Sequence, residues 1–138
     1  MKLQITTNQK DEIKGFNSFS LSDLHRVDTE VTDNECENIF ISNNVLNSIP
    51  PPQIEPFFRL IQSKLRIGGT VTLIAIEPMV VSKMLINNSL DEMQFSNIVA
   101  SVNSMLPLGA VKNILGSMNL QVLTTSINGI SYEITARR

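Results

Sequence analysis

Side chains able to do chemistry are sparse in this 138-residue sequence, and they gather in a few places. Ser42, Asn43 and Asn44 follow the apolar run Ile39, Phe40, Ile41, the pattern of a buried parallel strand whose carboxyl end meets a polar loop. Open parallel sheets bind ligands at such ends, so these residues are candidates for binding. The competing assignment is that the asparagines bond loop backbone, which Asn does readily. The acids Asp28, Glu30, Asp33, Glu35 and Glu37 have no His or Cys beside them at ligand spacing, and they read as a solvated loop rather than a metal site. His25 is the single histidine and lacks a Ser or Cys at a diagnostic spacing, so it reads as a loop residue. Cys36 lies among acids that raise a thiol pKa, which argues against a reactive thiolate. The chemistry open to such a set is uncharged hydrogen bonding that orients a ligand.

The element that must position Ser42 to Asn44 runs from Glu37 to Glu77. After the strand, Ile54, Phe57, Phe58, Ile61 and Leu65 repeat at the spacing of one helical face. Gly68 and Gly69 are expected to end that helix with a left-handed cap, and Val71 to Ile76 gives a second buried strand. The unit is βαβ, parallel and right-handed. Upstream, Lys2 to Thr7 reads as a strand, Gly15 as a turn, and Phe16 to Leu21 as a short strand, while Leu24 to Glu37 reads as a mostly irregular connection. Downstream, Pro78 opens a helix that Asn87 and Asn88 stop. A capping box of Ser89 and Glu92 starts a longer one, which carries Met93, Ile98, Val102 and Met105 inward and ends before Pro107. Val111, Ile114, Leu115 and Met118 trace a third, closed by Asn119. Leu120 to Ile127 and Ile130 to Ala136 form a hairpin about Asn128 and Gly129, and Arg137 and Arg138 read as a solvated tail.

The length fits one domain, residues 1–138. A net charge of −2 gives no broad basic field, so neither nucleic acid nor an anionic membrane is indicated as a partner. No apolar run approaches the ~20 residues that span a bilayer. The single Cys36 cannot form an internal disulfide, and the N-terminus lacks a signal-peptide core, so a cytoplasmic setting is expected.

Taken together, ENIFISNNVLNSIP, the helix, LRIGGTVTLIAIEP and the closing hairpin resemble the class I S-adenosylmethionine-dependent methyltransferases. In that family an aspartate-led strand is followed by Glu-His and Ile-Pro, a helix, a Leu-Lys-Pro-Gly-Gly turn and a final antiparallel pair. Here Glu37 stands for the aspartate, Asn47 and Ser48 for Glu-His, and Leu65 to Gly69 for the glycine turn. The resemblance implies an α/β, three-layer Rossmann-like methyltransferase fold, mostly parallel with a C-terminal antiparallel hairpin and trimmed in its first half. It also implies S-adenosylmethionine as cofactor, with Thr6, Thr7, Asn8 and Gln9 as the methionine-side loop, Ser20 near the ribose with Asp23 or Asp28 as substitute acids, and Ser42, Asn43 and Asn44 near the reacting end. Two departures bear on the site. The first loop lacks the family's glycines, and Ser20 replaces an acid whose charge-assisted bonds to a ribose are worth roughly twice a neutral one. The implied activity is methyl transfer to a small-molecule acceptor. The alternative is a non-catalytic module that keeps the fold for protein contacts, a homodimer among them.

Overall fold

The computed structural model describes residues 1–138. Six strands form one sheet: β1 (Lys2–Thr6), β2 (Asn17–Ser20), β3 (Cys36–Ile41), β4 (Leu65–Ile76), β5 (Gln121–Asn128) and β6 (Ser131–Arg137), in the order β2-β1-β3-β4-β6-β5. β2, β1, β3 and β4 are mutually parallel, and β6 runs antiparallel to both β4 and β5. The helices are α1 (Leu24–Glu30), α2 (Val45–Ser48), α3 (Pro51–Lys64), α4 (Pro78–Ile86), α5 (Glu92–Ala100) and α6 (Leu108–Ser117). None is long and apolar enough to cross a membrane.

Strand alternation decides where the core lies. Leu3, Ile5, Ile39, Ile41, Val71, Leu73, Ile134 and Ala136 share one sheet face, and Val27 of α1, Leu46 of α2, Phe57, Phe58 and Ile61 of α3 and Leu115 of α6 pack upon it. The opposite face carries Asn38, Phe40, Thr70, Thr72, Ile74 and Thr135, all half-buried. Trimming of the first half takes a definite form: between β1 and β2 only the loop with the 3-10 turn Gln9–Asp11 covers this face. That loop is fastened to the fully buried Gln4, whose amide donates to Asp11 O (2.7 Å) and accepts from Ile13 N (2.8 Å).

The mixed sheet, the βαβ unit and the hairpin pairing agree with expectation, and six local readings do not. Residues Leu24–Glu30 are helical rather than irregular, because Leu24, Val27 and Val31 fall at i, i+3, i+7 and Arg26 pairs with Glu30 at 2.8 Å. Gly68 and Gly69 do not cap α3, which ends at Lys64. They lie inside β4, where five residues of β4 advance against two of β3 between the pairs Cys36↔Leu65 and Asn38↔Thr70. Gly68 takes φ +80°, and a Cβ on Gly69 would stand 2.9 Å from the carbonyl oxygens of Arg66 and Cys36. The carbonyl end of α3 is closed instead by Arg138, whose Nη1 donates to Gln62 O (2.9 Å) and Leu65 O (2.5 Å) and to Asn34 Oδ1 (2.6 Å), so that residue is not a solvated tail.

The capping box of α5 is Asp91 with Gln94 rather than Ser89 with Glu92, since Ser89 and Leu90 are held by their N–H groups to Met84 O in the preceding turn. The helix stops at Ala100 because Asn103 and Ser104 turn back to donate to Asn47 O, and Met93 is 70 % exposed rather than inward. In the hairpin Asn128 pairs with Ser131, so the two-residue loop is Gly129–Ile130 with Gly129 at φ +61°, the glycine-first pattern of a II′ turn.

Candidate functional site

β1 ends at Thr6 and β2 at Ser20, side by side in register, so the residues that follow them meet at the carboxyl edge. A polar cavity of about 390 Å³ opens there, lined by Thr6, Thr7, Asn8, Gln9, Glu12, Ser18, Phe19, Ser20, Asp23 and Arg26. Its floor is rigid. Thr6 is 3 % exposed; its hydroxyl donates to Asn8 O at 2.9 Å and accepts from Asn8 N at 3.1 Å, and Asn8 Oδ1 accepts from Lys10 N, which starts the 3-10 turn. Gln4 pins the far side of the loop and also bonds Ser18 (3.1 Å) and Ser42 (2.8 Å), so one buried amide ties together the loop, β2 and the end of β3.

The wall is charged on both signs. Arg26 of α1 lies over the Phe19 ring, 5.7 Å from its centroid, and donates to Glu30 at 2.8 and 3.2 Å. That bond holds the Glu30 carboxyl below its ordinary range. Asp23, at the N-terminus of α1, and Glu12 add carboxylates to the lining, and Ser20 Oγ shares a hydrogen bond with Ser22 Oγ at 2.9 Å.

Thr6, Thr7, Asn8, Gln9 and Ser20 thus come together, and of the two substitute acids Asp23 joins them while Asp28 does not. Asp28 lies beside His25 and Arg59 and faces Lys64, whose buried Nζ bonds Asp33 Oδ1 at 2.7 Å and Asp28 O at 3.1 Å. Ser42 is buried with its hydroxyl committed to Gln4. Asn43 Oδ1 accepts from Asn44 N at 3.0 Å and Asn44 takes φ +69°, so both serve the loop backbone, and neither lines the cavity. Cys36 is buried, and burial pushes its thiol up, away from the reactive form. Glu12, Phe19 and Arg26 were not foreseen. The spacing of Arg26 and Glu30 was the available signal for the last.

Among solved structures the chain superposes on S-adenosylmethionine-dependent methyltransferases from Archaeoglobus fulgidus (TM-score 0.64, 14 % identity, 97 % of this chain and 74 % of that one) and from Mesorhizobium loti (0.65, 12 %, 99 % and 80 %). It also superposes on the Burkholderia thailandensis 1,6-didemethyltoxoflavin-N1-methyltransferase, solved with S-adenosylhomocysteine bound (0.64, 11 %, 99 % and 70 %). The chain has the class I methyltransferase fold. An O-methyltransferase family protein from B. thailandensis is matched over only 43 % of its length (TM-score 0.62), so the class I fold is carried here by a comparatively short chain. No family model and no curated protein matches the sequence. The class I resemblance therefore rests on three-dimensional arrangement.

Proposed function

We propose that the cavity at the carboxyl ends of β1 and β2 binds S-adenosylmethionine or its demethylated product, and that the chain serves methyl transfer to a small acceptor. The observation that carries this reading is that the groove beside Thr7 and Ser20 is open and polar rather than plugged by side chains. The donor set fits a zwitterionic nucleoside. Asp23 offers a carboxylate for a ribose diol, Glu12 one for an ammonium group, and Arg26, through the Nη1 that its pair with Glu30 does not use, a donor for a carboxylate. Bound there, the cofactor's sulfonium supplies a methyl group reactive enough that holding the acceptor in line provides much of the rate. The chain's own part is positioning: Gln4 and Thr6 fix the loop, and Asp23 and Arg26 fix the ligand's polar ends.

Calorimetric titration with S-adenosylmethionine and S-adenosylhomocysteine tests this. Saturable heat is expected, weakened at least ~tenfold by Asp23→Ala, since a charge-assisted bond is worth about 1.5–3 kcal/mol. No heat at millimolar ligand overturns the reading. The Gln4 network favours a second reading of the same cavity, binding without transfer, because it replaces a glycine loop that lies close to the ligand with one fastened to the sheet. Binding of both ligands with no conversion of S-adenosylmethionine to S-adenosylhomocysteine across a panel of small nucleophilic acceptors would select it.

A further inference from the structure

The carboxyl edge of the sheet carries a second cavity, separate from the polar one at β1 and β2. It lies between α4 and α5, has a volume of about 390 Å³, and is walled by Pro78, Val81, Phe95, Val99, Val102 and Met105. Glu77 and Pro78 continue β4 past its carboxyl end as Thr7 and Asn8 continue β1, and only β3 lies between those two strands. Two strand spacings, ~10 Å, therefore separate the strand ends on which the two cavities are built. The segment that closes the α4–α5 cleft is bonded toward that gap. Asn103 N and Ser104 N donate to Asn47 O, Asn103 Nδ2 donates to Ser48 O (2.8 Å), and Ser104 Oγ donates to Leu46 O (3.0 Å). Those three acceptors belong to α2, which begins directly after Asn44 at the end of β3.

The chemistry of the cleft is narrow. No ionisable side chain lines it. Glu77 precedes it in the chain, but both of its carboxylate oxygens are committed, one to Met79 N and the other to Leu108 N. A charged ligand would lose hydration there with no opposite charge in return, whereas an aromatic ring finds apolar walls and the Phe95 ring. Asn103 spends its Nδ2 on Ser48 O, so its Oδ1 is the polar atom left to the cleft, an acceptor that calls for a ligand N–H or O–H. The absence of a base decides between those two. A hydroxyl needs its proton removed to become a strong nucleophile, and nothing in the lining can take it. An aromatic amine is neutral at pH 7, carries its lone pair already, and releases a proton only after reacting. An alkylamine is protonated at that pH, so it has no lone pair to offer and brings a charge that the cleft does not answer.

We propose that the α4–α5 cleft is the acceptor site and takes a small uncharged aromatic amine, an inference that rests on the cofactor reading for methyl transfer but not for binding of the amine. In the transfer step the nitrogen lone pair forms the new N–C bond while the bond from the methyl carbon to sulfur breaks, its electron pair staying on sulfur. The products are S-adenosylhomocysteine and a methylated ammonium ion, which then gives a proton to water. Asn103 positions the amine through Oδ1, and Phe95 and Val99 hold the ring. α5 has no buried side chain of its own, so a ring seated against Phe95 and Val99 adds apolar contact that the helix otherwise lacks. Occupancy of the cleft is therefore readable in α5 without any methyl transfer.

Naphthylamine, naphthol and naphthylmethylamine, each substituted at the same ring carbon, test it on the full chain. Without cofactor, amide exchange of Glu92–Ala100 should slow about tenfold at a naphthylamine concentration about ten times its dissociation constant, and should not change with naphthylmethylamine. Naphthol, also a donor, should protect α5 yet yield no S-adenosylhomocysteine from S-adenosylmethionine, whereas naphthylamine yields it. Val99→Asp, at a position 47 % exposed, puts a carboxylate in the cleft; it should abolish protection by naphthylamine and create it with naphthylmethylamine. Heat with S-adenosylmethionine but no protection of α5 by naphthylamine overturns this inference and leaves the cofactor reading standing. Protection by naphthylamine with no heat from S-adenosylmethionine overturns the cofactor reading and supports the cleft as an amine site. Naphthol methylated as fast as naphthylamine overturns the assignment of an amine.

Discussion

Tyr132 is the only tyrosine, so it reports on one place in the molecule. It is 1 % exposed, and its hydroxyl donates to Leu106 O at 2.9 Å. Burial pushes its pKa well above the ordinary phenol value of 10.0, and the nearby Glu77 adds to the shift. The unfolded chain loses this proton near pH 10 while the folded chain keeps it, so the unfolded state binds fewer protons above that pH. The stability that Tyr132 contributes is therefore fully present below about pH 10 and is lost as pH rises beyond it. Phenolate absorbance should stay absent through pH 10 and appear only together with loss of the far-ultraviolet helix signal. Tyr132→Phe should flatten the alkaline decline while costing about 1 kcal/mol at neutral pH, measured by urea unfolding. Absorbance rising near pH 10 in the folded protein would contradict this. The inward direction of Tyr132 was legible, because β6 alternates strictly with Ile134 and Ala136. The inward burial of Gln4 was not: it alternates onto the face away from the core, and it is covered only because a loop with no sequence period returns to bond it.

At the scale of elements, Glu77 joins two helices whose relation is not visible from their order in the chain. Its carboxylate is 5 % exposed; Oε1 accepts from Met79 N (3.2 Å) in the first turn of α4, and Oε2 accepts from Leu108 N (2.8 Å) at the first residue of α6. One negative group therefore answers the positive ends of two helices separated by some thirty residues. Glu77→Ala removes both caps, and at roughly 0.5–2 kcal/mol per cap the loss should be about 2–3 kcal/mol. Glu77→Gln keeps one acceptor and should lose distinctly less; equal losses in urea unfolding would mean that charge rather than capping matters. Pro78 announced the start of α4 because proline fits the first helical position and little else. The partnership with α6 is tertiary, and no local pattern encodes it. α1 failed for a different reason: its seven residues carry only one fully buried side chain, Val27, too short a pattern to separate from a polar connection. The bulge in β4 also escaped, since a glycine pair after a helix ordinarily means a cap, and only the register against β3 distinguishes the two.

For the molecule as a whole, the fold was legible because periodicity, turn residues and the closing hairpin all point to one mixed sheet. The lining of the cavity was half legible, because loop residues acquire neighbours from elements that the sequence does not order in space. The same distinction predicts how stability is distributed. β1, β3, β4 and β6 hold the centre of the core, with Leu3, Ile5, Ile39, Ile41, Val71, Leu73 and Ile134 almost wholly buried. α5 contains no buried residue, and Met79, Ile86, Met93 and Val99 leave large apolar side chains of the α4–α5 pair in solvent. The pair is fastened chiefly at its ends, by Glu77 on one side and by Asn103 and Ser104 bonding Asn47 and Ser48 on the other. Few buried contacts mean a small free energy of local opening. Amide hydrogen exchange should therefore find α5 and the second half of α4 exchanging through a sub-global opening, with protection far below that of Leu3–Ile5 and Val71–Ala75. Those central amides should exchange only with global unfolding, their protection falling in step with stability when Glu77 is changed to Ala. Equal protection in α5 and in the central strands would show that the helical pair is part of the cooperative core, and that burial does not set the order in which this molecule comes apart.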